Sequence, residues 1–194
     1  WNCLNKISNA NTPIVLFASQ PFTSILITSN ISLFKYCFIW NKKNSSNALH
    51  AKIQPMKIHE DIIIFGKNKI TYNPQMEQKK PRIDKMRKIP NGETFGGKKI
   101  ERQYNNIKGL YYPKSIIDIS NASQRNKLHP TQKPLELLEY LIKTYTNEGN
   151  TILDFTCGSG TTLVAAKKLN RKCYGVELEK KYCEITKKRL MEII

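Results

Sequence analysis

The sequence predicts an α/β fold with a largely parallel sheet, and the last third of the chain indicates this most directly. Residues 152–155 and 172–177 have the length and character of strands, and each is followed by a helical segment, 161–169 and 179–194. Strand–helix–strand–helix is the order of a parallel α/β unit, because each helix carries the chain back to begin the next strand. At 194 residues the chain can form one domain with a sizeable core.

The first third has three strand patterns and one helix. Residues 13–18 form a continuous apolar run, which is typical of a strand buried on both faces. A helix is predicted over residues 21–32, with proline at an early helical position. Residues 34–40 are rich in aromatic side chains and residues 62–65 are apolar up to Gly66, so both are predicted strands. After residue 128, leucines recur at helical spacing from Pro134 onward.

Between residues 67 and 127 the periodicity is lost, because prolines, glycines, asparagines and charges interrupt it. A loop-rich insertion is therefore predicted there, between the two parts of one α/β domain, residues 1–66 and 128–194. Residues 66–127 hold 15 Lys and Arg against 5 Asp and Glu, within a chain of formal charge +17. So basic a segment favours nucleic acid as a partner, although a lysine-rich surface can also be simply solvated.

Several classes of protein are disfavoured by composition. The apolar runs are too short to span a bilayer, so no membrane partner is expected. Five cysteines without a C-x-x-C pair indicate reduced thiols in a cytoplasm, bacterial or of a phage or mobile element, and three histidines lack metal-ligand spacing. No metal site is expected. Since residue 1 is Trp1 and not methionine, the chain is expected to begin inside a longer reading frame.

The clearest chemical pattern surrounds a glycine loop after the strand at residues 152–155. Asp154 lies at the end of this strand, Gly158 and Gly160 form the turn, Thr161 opens the helix, and Glu177 ends the next strand. Glycines let a ligand approach the backbone, and an acid at the second strand end can accept both hydroxyls of a ribose. Leucine replaces the third glycine of the dinucleotide fingerprint. The pattern therefore favours an adenosine ligand without a pyrophosphate, namely S-adenosyl-L-methionine.

Three motifs then occur in a fixed order along the chain: His129-Pro-Thr-Gln-Lys-Pro134, Asp154-Phe-Thr-Cys-Gly-Ser-Gly-Thr-Thr162 and Gly175-Val-Glu177. Together they resemble the C-terminal half of the β-class amino-methyltransferases of DNA, which methylate adenine N6 or cytosine N4. Residues 16–23, 38–42 and 59–65 resemble the middle strands of the same family. The resemblance covers residues 13–66 and 128–192, and it implies a Rossmann-like, S-adenosylmethionine-dependent methyltransferase fold.

The resemblance also implies a set of cofactor-binding residues: Lys133, Asp154, Thr156, Gly158, Gly160, Thr161 and Glu177. Asp154 and the glycines would surround the methionine end of the cofactor, Glu177 would hold the ribose, and Lys133 would pair with the methionine carboxylate. His129 is either a ligand contact or a structural hydrogen-bonding residue. Cys157 is not a candidate nucleophile, because the Pro-Cys dipeptide of the carbon-5 cytosine methyltransferases does not occur in the sequence.

The sequence departs from the family at one important place, since it has no tetrapeptide of the Asp-Pro-Pro-Tyr type. In the family this tetrapeptide accepts hydrogen bonds from the target amine and stacks on the flipped-out base. It is expected upstream of Trp1, together with the acid that recognises the cofactor's adenine. No catalytic residue is therefore assigned in this chain, and the chain alone is expected to have negligible activity.

Residues 67–127 occupy the place of the family's target-recognition region. Duplex DNA is the implied partner, and four arginines are candidates for reading base edges: Arg82, Arg87, Arg102 and Arg125. Adenine N6 is the predicted target, with cytosine N4 as the second choice. A homodimer and a companion restriction endonuclease are left open as further partners.

Three other functions are compatible with part of the pattern. The chain could be an inactive remnant or a recognition subunit that binds DNA without transferring a methyl group. A nicotinamide-dependent oxidoreductase also uses a glycine loop and a ribose-binding acid, but its glycine fingerprint is incomplete here. The methyl acceptor could finally be RNA or protein, which the order of the motifs disfavours.

Overall fold

The computed structural model describes residues 1–46, 48–83, 87–89, 100–102, 105–121 and 127–193. The chain divides into two compact units, the first formed by Trp1–Asn73 with Lys114–Ile194 and the second by Pro74–Pro113. Within the described part of the chain, none of the helices has the length and apolar character needed to cross a membrane.

The first unit contains helices and strands in alternation. Its helices are α1 (Asn2–Ile7), α2 (Phe22–Thr28), α3 (Leu135–Tyr145), α4 (Thr161–Lys168) and α5 (Lys180–Met191), with a 3-10 turn at Ala48–His50. Its strands are β1 (Ile14–Ala18), β2 (Phe34–Ser46), β3 (Lys57–Phe65), β10 (Ile116–Asp118), β11 (Thr151–Asp154) and β12 (Lys172–Gly175). Six short strands belong to the second unit: β4 (Glu77–Gln78), β5 (Arg82–Ile83), β6 (Arg87–Ile89), β7 (Ile100–Arg102), β8 (Asn105–Asn106) and β9 (Leu110–Tyr111).

The strands of the first unit form two sheets, one of four strands in the order β1-β3-β2-β10 and one of two strands, β11 and β12. The pairs β11–β12 and β10–β2 are parallel, whereas β3 is antiparallel to both β1 and β2. The prediction of a mostly parallel sheet was therefore wrong for the four-stranded sheet. The link between β2 and β3 spans only residues 47–56, which is too short for the crossover that a parallel pair requires.

Strand β3 lies inside the four-stranded sheet and supplies the centre of the core. Its residues Ile62, Ile63, Ile64 and Phe65 have no exposed surface. Successive side chains of a strand point to opposite faces, and Ile62 and Ile64 accordingly enter one apolar cluster while Ile63 and Phe65 enter another. The first cluster also contains Trp40 and side chains of α3 and α4. Both faces of β3 are thus covered, which explains why its sequence is a continuous apolar run.

Strand β10 was not predicted, because it falls in the segment assigned to the insertion. Its residues pair in parallel with Ile39–Asn41 of β2, and Ile117 is buried. The Trp40 indole N–H donates to the carbonyl of Ile119 just after the strand, at 2.8 Å. Residues 114–121 therefore complete the first unit, and the second unit is shorter than the predicted insertion of residues 67–127.

The second unit consists of nested antiparallel pairs, β4 with β9, β5 with β8 and β6 with β7. Their registers follow one another, from Glu77↔Tyr111 through Arg82↔Asn106 to Arg87↔Arg102, so the same two stretches of chain pair three times in the antiparallel direction. We call these three pairs the ribbon. The sequence predicted a loop-rich segment here. Strands of two or three residues are too short to produce a recognisable alternation of apolar and polar side chains.

The central position of β3 leads to a stability prediction. Replacement of the fully buried Ile64 by alanine is expected to lower the free energy of unfolding by about 2–5 kcal/mol, because it leaves a cavity in the core. The control is Leu49→Ala, at a side chain that is 98% exposed, with an expected change within about 0.5 kcal/mol. Urea unfolding measures both. Equal shifts of the two midpoints would contradict the central role of β3.

Candidate functional site

The glycine loop lies between the carboxyl end of β11 and the start of α4. Gly160 directly precedes α4 and has φ of +75°, in the left-handed region that favours glycine. Asp154 at the end of β11 is the register partner of Gly175 at the end of β12, and its Oδ1 accepts the Thr156 N–H at 3.1 Å. The two parallel strands thus place Glu177, two residues beyond β12, beside the loop.

Glu177 holds the loop directly. Its Oε2 accepts the Gly158 N–H at 2.8 Å and its Oε1 accepts the Glu179 N–H at 3.0 Å. The hydrogen bond from Glu179, assisted by the one from Gly158, stabilises the ionised carboxylate and holds the pKa of Glu177 below its ordinary value. The acid that the sequence assigned to ribose recognition therefore also fixes the shape of the glycine loop.

Helix α5 braces the loop from its other side. The Thr186 hydroxyl donates to the carbonyl of Gly158 at 3.1 Å, and Arg189 Nη1 donates to the carbonyl of Ser159 and to the Thr161 hydroxyl oxygen. These residues were missed at the sequence level, where α5 was predicted only as an amphipathic helix. Thr186 and Arg189 are three residues apart, which puts both polar side chains on one face of the helix. This spacing could have indicated in the sequence that α5 has a polar contact face.

His129 packs against the same loop. Its ring lies 4.3 Å from the Tyr182 ring between centroids, and it is the nearest side chain to the position that a Cβ on Gly158 would occupy. Its Nδ1 lies 3.3 Å from the Thr131 N–H donor. The sequence left open whether His129 is structural or a ligand contact. The structure shows that it packs on the loop and also lines the groove described below, so both roles stay predictions.

Lys133 lies in a half-buried ion cluster. Its Nζ donates to Glu60 Oε2 at 2.7 Å, and Lys42 Nζ donates to Glu60 Oε1 at 3.2 Å. The Lys133 ammonium is also 5.1 Å from the centroid of the Phe17 ring and 5.5 Å from that of Trp40. Burial of the Glu60 carboxyl raises its pKa, but the hydrogen bonds and charges of the two lysines outweigh this, so the pKa lies below its ordinary value. The sequence did not single out Glu60.

One groove brings most of the predicted cofactor residues together. It has a volume of about 1280 Å³, above the roughly 300–1,000 Å³ typical of small-molecule sites. Five of the predicted residues line this groove: Lys133, Asp154, Thr156, Gly158 and Thr161. Gly160 and Glu177 are not among its lining residues and act on it through the loop. The remaining walls include β1 residues 14–17 and the apolar face of α3.

Cys157 also lines the groove, but its thiol is not activated. Burial, together with the nearby carboxylates of Asp154 and Glu177, raises the pKa of Cys157 to about 11. A thiol with this pKa is protonated at neutral pH and is a poor nucleophile, as the sequence predicted for a residue of the loop.

The four arginines that the sequence predicted to contact DNA lie in different parts of the chain. Arg82 is exposed in β5, and Arg87 of β6 and Arg102 of β7 are register partners in the ribbon. Arg125 lies outside the described residues. The ribbon therefore carries three of the four, and the sequence could not show that two of them are opposite each other.

The comparison with known families decides which family this is. The family model described as DNA methylase matches residues 7–188. The chain belongs to this DNA methylase family. Its match covers nearly the whole chain and confirms the predicted resemblance to the amino-methyltransferases of DNA.

Individual relatives agree with this assignment. The chain is 35% identical to the type II methyltransferase M.HpaI of Haemophilus parainfluenzae, over 68% of this chain and 38% of that protein. It is 31% identical to the orphan methyltransferase M.BamHII of Bacillus amyloliquefaciens, over 71% of this chain and 56% of that protein. The chain thus spans about a third to a half of the length of these relatives.

Solved structures confirm the methyltransferase fold. The M1.HpyAVI–SAM complex is similar with a TM-score of 0.64 and 28% identity, covering 96% of this chain and 78% of that one. The cytosine-N4-specific PvuII DNA methyltransferase has a TM-score of 0.64 at 16% identity, covering 95% of this chain and 66% of that one, and so shows the fold alone.

The bracing of the glycine loop leads to a prediction on Gly160. Alanine there would be strained by the positive φ and would also overlap the Thr186 side chain. Gly149 is a matched control, since its φ is +76° and no atom lies within 4 Å of an added Cβ. Gly149→Ala is expected to cost about 1–2 kcal/mol of unfolding free energy, and Gly160→Ala about 1–3 kcal/mol more. If urea unfolding showed equal losses of stability for the two variants, the packing of Thr186 against Gly160 would not restrict the loop.

The ion cluster leads to a prediction with a pH dependence. Glu60→Gln is expected to lower the free energy of unfolding by about 1–2 kcal/mol near neutral pH, because the buried Lys42 and the partly buried Lys133 lose their counter-charge. The pKa of Glu60 is lower in the folded state, so its contribution is fully present above the ordinary value of 4.5 and is lost as the pH falls through the folded value.

Urea unfolding of the wild type and Glu60→Gln across this acidic range measures the effect. The difference between them is expected to shrink as the pH falls below 4.5. Glu148→Gln is the control, because the Glu148 side chain is 75% exposed and lies 4.0 Å from Arg171. If the difference in unfolding free energy between the wild type and Glu60→Gln did not change with pH, Glu60 would not stabilise the fold through its charge.

Proposed function

We propose that this chain is the cofactor-binding and target-recognition part of a DNA methyltransferase that transfers a methyl group from S-adenosyl-L-methionine to adenine N6 in duplex DNA. Cytosine N4 is the alternative target. The observation that carries the proposal is the groove at the end of β11, where five residues expected to bind the cofactor lie together. The family match and the similarity to the M1.HpyAVI–SAM complex support the same cofactor.

The glycine loop supplies the surface for the cofactor. Gly158 lines the groove and has a positive φ, so the backbone there presents no Cβ to a ligand. Glu177 is ionised and partly exposed at the end of β12, and the ribose hydroxyls would donate to its carboxylate. The Glu177 carboxylate also accepts a hydrogen bond from the Gly158 N–H. A ligand bound to this carboxylate would therefore influence the position of the loop.

Lys133, which lines the same groove, would bind the methionine carboxylate. Its ammonium has three donors, of which Glu60 takes one, and its side chain is 22% exposed. The Glu60 bond and the two aromatic rings fix the position of the charge before a ligand arrives. A methionine carboxylate bound there would pair with the ammonium, while the ribose would bind at Glu177.

The cofactor, when bound, supplies a methyl group on a sulfonium, which an attacking amine displaces in line. The described residues that line the groove would orient the cofactor, and Glu177 and α5 would brace the loop around it. Holding the target amine is a separate task. That task falls to the Asp-Pro-Pro-Tyr-type tetrapeptide, which the 194-residue sequence lacks. We therefore propose that this chain binds the cofactor without transferring the methyl group by itself.

Target recognition is assigned to the second unit and the residues that follow it. A two-stranded ribbon fits the major groove of B-DNA, and the described pairs of this unit form such a ribbon. Arg82, Arg87, Arg102 and Arg125 lie within a segment of strong positive charge, suited to phosphates and to guanine edges. The homodimer and the companion endonuclease remain predictions.

A second candidate function is a recognition subunit or inactive remnant that binds DNA without catalysis. The basic segment of residues 66–127, with 15 Lys and Arg against 5 Asp and Glu, supports the DNA binding that this candidate retains. Both candidates share the cofactor and DNA sites. They differ in whether a polypeptide carrying the tetrapeptide acts together with this chain.

Titration calorimetry with S-adenosylmethionine tests the cofactor site. We expect saturable binding by the wild type, weakened about tenfold or more in Glu177→Gln, which loses the charge that accepts the ribose hydroxyls. The control is Glu184→Gln, at an exposed position of α5, with unchanged affinity. Melting temperatures of both variants separate loss of binding from loss of the fold.

Two further measurements complete this test. Transfer of a labelled methyl group to duplex DNA is expected to be undetectable for the isolated chain. Robust transfer would show that the catalytic groups lie within it. Binding of a nicotinamide dinucleotide in place of S-adenosylmethionine would overturn the proposed function altogether.

A further inference from the structure

The hairpin formed by β2 and β3 extends beyond the other strands of its sheet. Strand β10 pairs with β2 as far as Asn41, and β1 pairs with β3 from Asp61 onward. Beyond these points the described residues of β2 and β3 have strand partners only in each other, as far as Ser46↔Lys57. The link between the two strands contains a 3-10 turn. We call residues 43–59 the hairpin arm.

The base of the hairpin arm lies at the edge of the groove that contains the predicted cofactor residues. Lys42, directly before the arm, donates to Glu60 Oε1 at 3.2 Å. Glu60, directly after the arm, accepts from Lys133 at 2.7 Å, and Lys133 lines the groove. Strand β1, which also lines the groove, ends opposite Asp61. The arm therefore projects from the edge of the sheet that borders the groove.

An irregularity in the strand pairing bends the hairpin arm where it leaves the sheet. Between two consecutive register pairs, β2 contributes residues 42–45 whereas β3 contributes Ile58. Within this stretch Lys43 has φ of +62°, which is uncommon for a residue other than glycine. Extra residues on one strand of a pair bend that strand and increase its twist. The direction of the arm is thus set by the local backbone and is not a simple continuation of the sheet.

The hairpin arm carries positive charge without any acid. Residues 43–59 contain three lysines, two histidines and no aspartate or glutamate, so their net charge is +3 with the histidines neutral. Two of the lysines, Lys43 and Lys52, are exposed. The phosphate backbone of a nucleic acid is an extended polyanion that fits such a surface.

The hairpin arm also exposes apolar side chains. Every residue from 48 to 56 is exposed, and Leu49 and Ile53 are 98% and 80% exposed. A single exposed leucine is ordinary on a protein surface. Two aliphatic side chains at the end of a basic arm are different, because leucine and isoleucine are among the residues that proteins insert between base steps of DNA. Charge and apolar surface together therefore favour DNA as the partner of the arm.

We propose that the hairpin arm is a second DNA-contacting element, in which Lys43 and Lys52 contact phosphates and Leu49 enters the base stack next to the target base. This inference rests on the proposed function, since a base that receives a methyl group must leave the duplex to enter the groove. The duplex then lies at the mouth of the groove, where the arm begins. Leu49 fills the space that the displaced base leaves. The ribbon belongs to the second unit, so this contact is separate from it.

The salt dependence of DNA binding by the full 194-residue chain tests the two lysines. Fluorescence anisotropy of a labelled duplex gives the slope of log affinity against log salt, to which each phosphate contact contributes about 0.9. The double variant Lys43→Gln/Lys52→Gln is expected to reduce this slope by about 1.8. The matched control, Lys187→Gln/Lys188→Gln, removes two exposed lysines near the end of α5 and is expected to keep the wild-type slope.

A duplex with one abasic site tests Leu49, because it already contains the space that a displaced base would leave. The wild type is expected to bind this duplex about threefold or more tightly than the intact one. Leu49→Ala is expected to lose this preference and to keep the salt slope, because an apolar contact releases no counterions. Met56→Ala, at a 47% exposed position of the same arm, is the control and should keep the preference. Unchanged melting temperatures show that the variants keep their fold.

Other outcomes would overturn the proposal. A wild-type salt slope in the double lysine variant, or the same preference for the abasic duplex in the wild type and Leu49→Ala, would exclude the arm from the DNA contact and leave the proposed function in place. Self-association lost in Leu49→Ala with DNA binding unchanged would make a second copy of this chain the partner. Binding to phosphatidylserine vesicles lost in the same way would make it a membrane surface. DNA binding through the arm without affinity for S-adenosylmethionine would keep the arm contact and remove the proposed function.

Discussion

The carboxylate of Glu60, shared between Lys42 and Lys133, is the contact on which the arrangement of the site depends. No strand pairing connects the four-stranded sheet with β11 and β12 among the described residues, so other contacts must align them. Lys133 anchors the start of α3 to β3, and α3 packs on α4, which follows the glycine loop. Removing one partner of a half-buried ion pair is costly, because the remaining charge stays without compensation.

The far end of α3 is tied to the first sheet by weaker but more numerous contacts. The hydroxyls of Tyr145 and Tyr36 are 3.1 Å apart, and Asn73 bonds to backbone groups around Thr144 and Thr146. Helix α3 is thus held at both ends while its middle contributes apolar side chains to the core. These contacts hold α3 on the four-stranded sheet, although no strand pairing joins that sheet to β11 and β12 among the described residues.

The glycine loop, like α3, is held in place by contacts from several separate elements. Gly158 is held by Glu177 through its N–H, by Thr186 through its carbonyl and by the packed ring of His129. Three separate elements therefore determine one turn of backbone. A loop fixed in this way loses little conformational freedom when a ligand binds, which is the physical basis of preorganisation. The left-handed conformation of Gly160 belongs to this fixed geometry.

The sequence by itself determined the local elements with strong signals, namely β1, residues 62–65 of β3, α3 and the unit from β11 to β12 with its glycine loop. These signals are short-range, since apolar periodicity, a glycine turn and an acid at a strand end can be recognised without the rest of the chain. Only the tertiary structure decided that β3 runs antiparallel to its neighbours, that residues 116–118 join the main sheet and that the basic segment pairs into a ribbon. It also brought Glu60 to Lys133, 73 residues away. Pairing direction, register and ion-pair partners depend on contacts between distant segments, and no local pattern encodes these contacts.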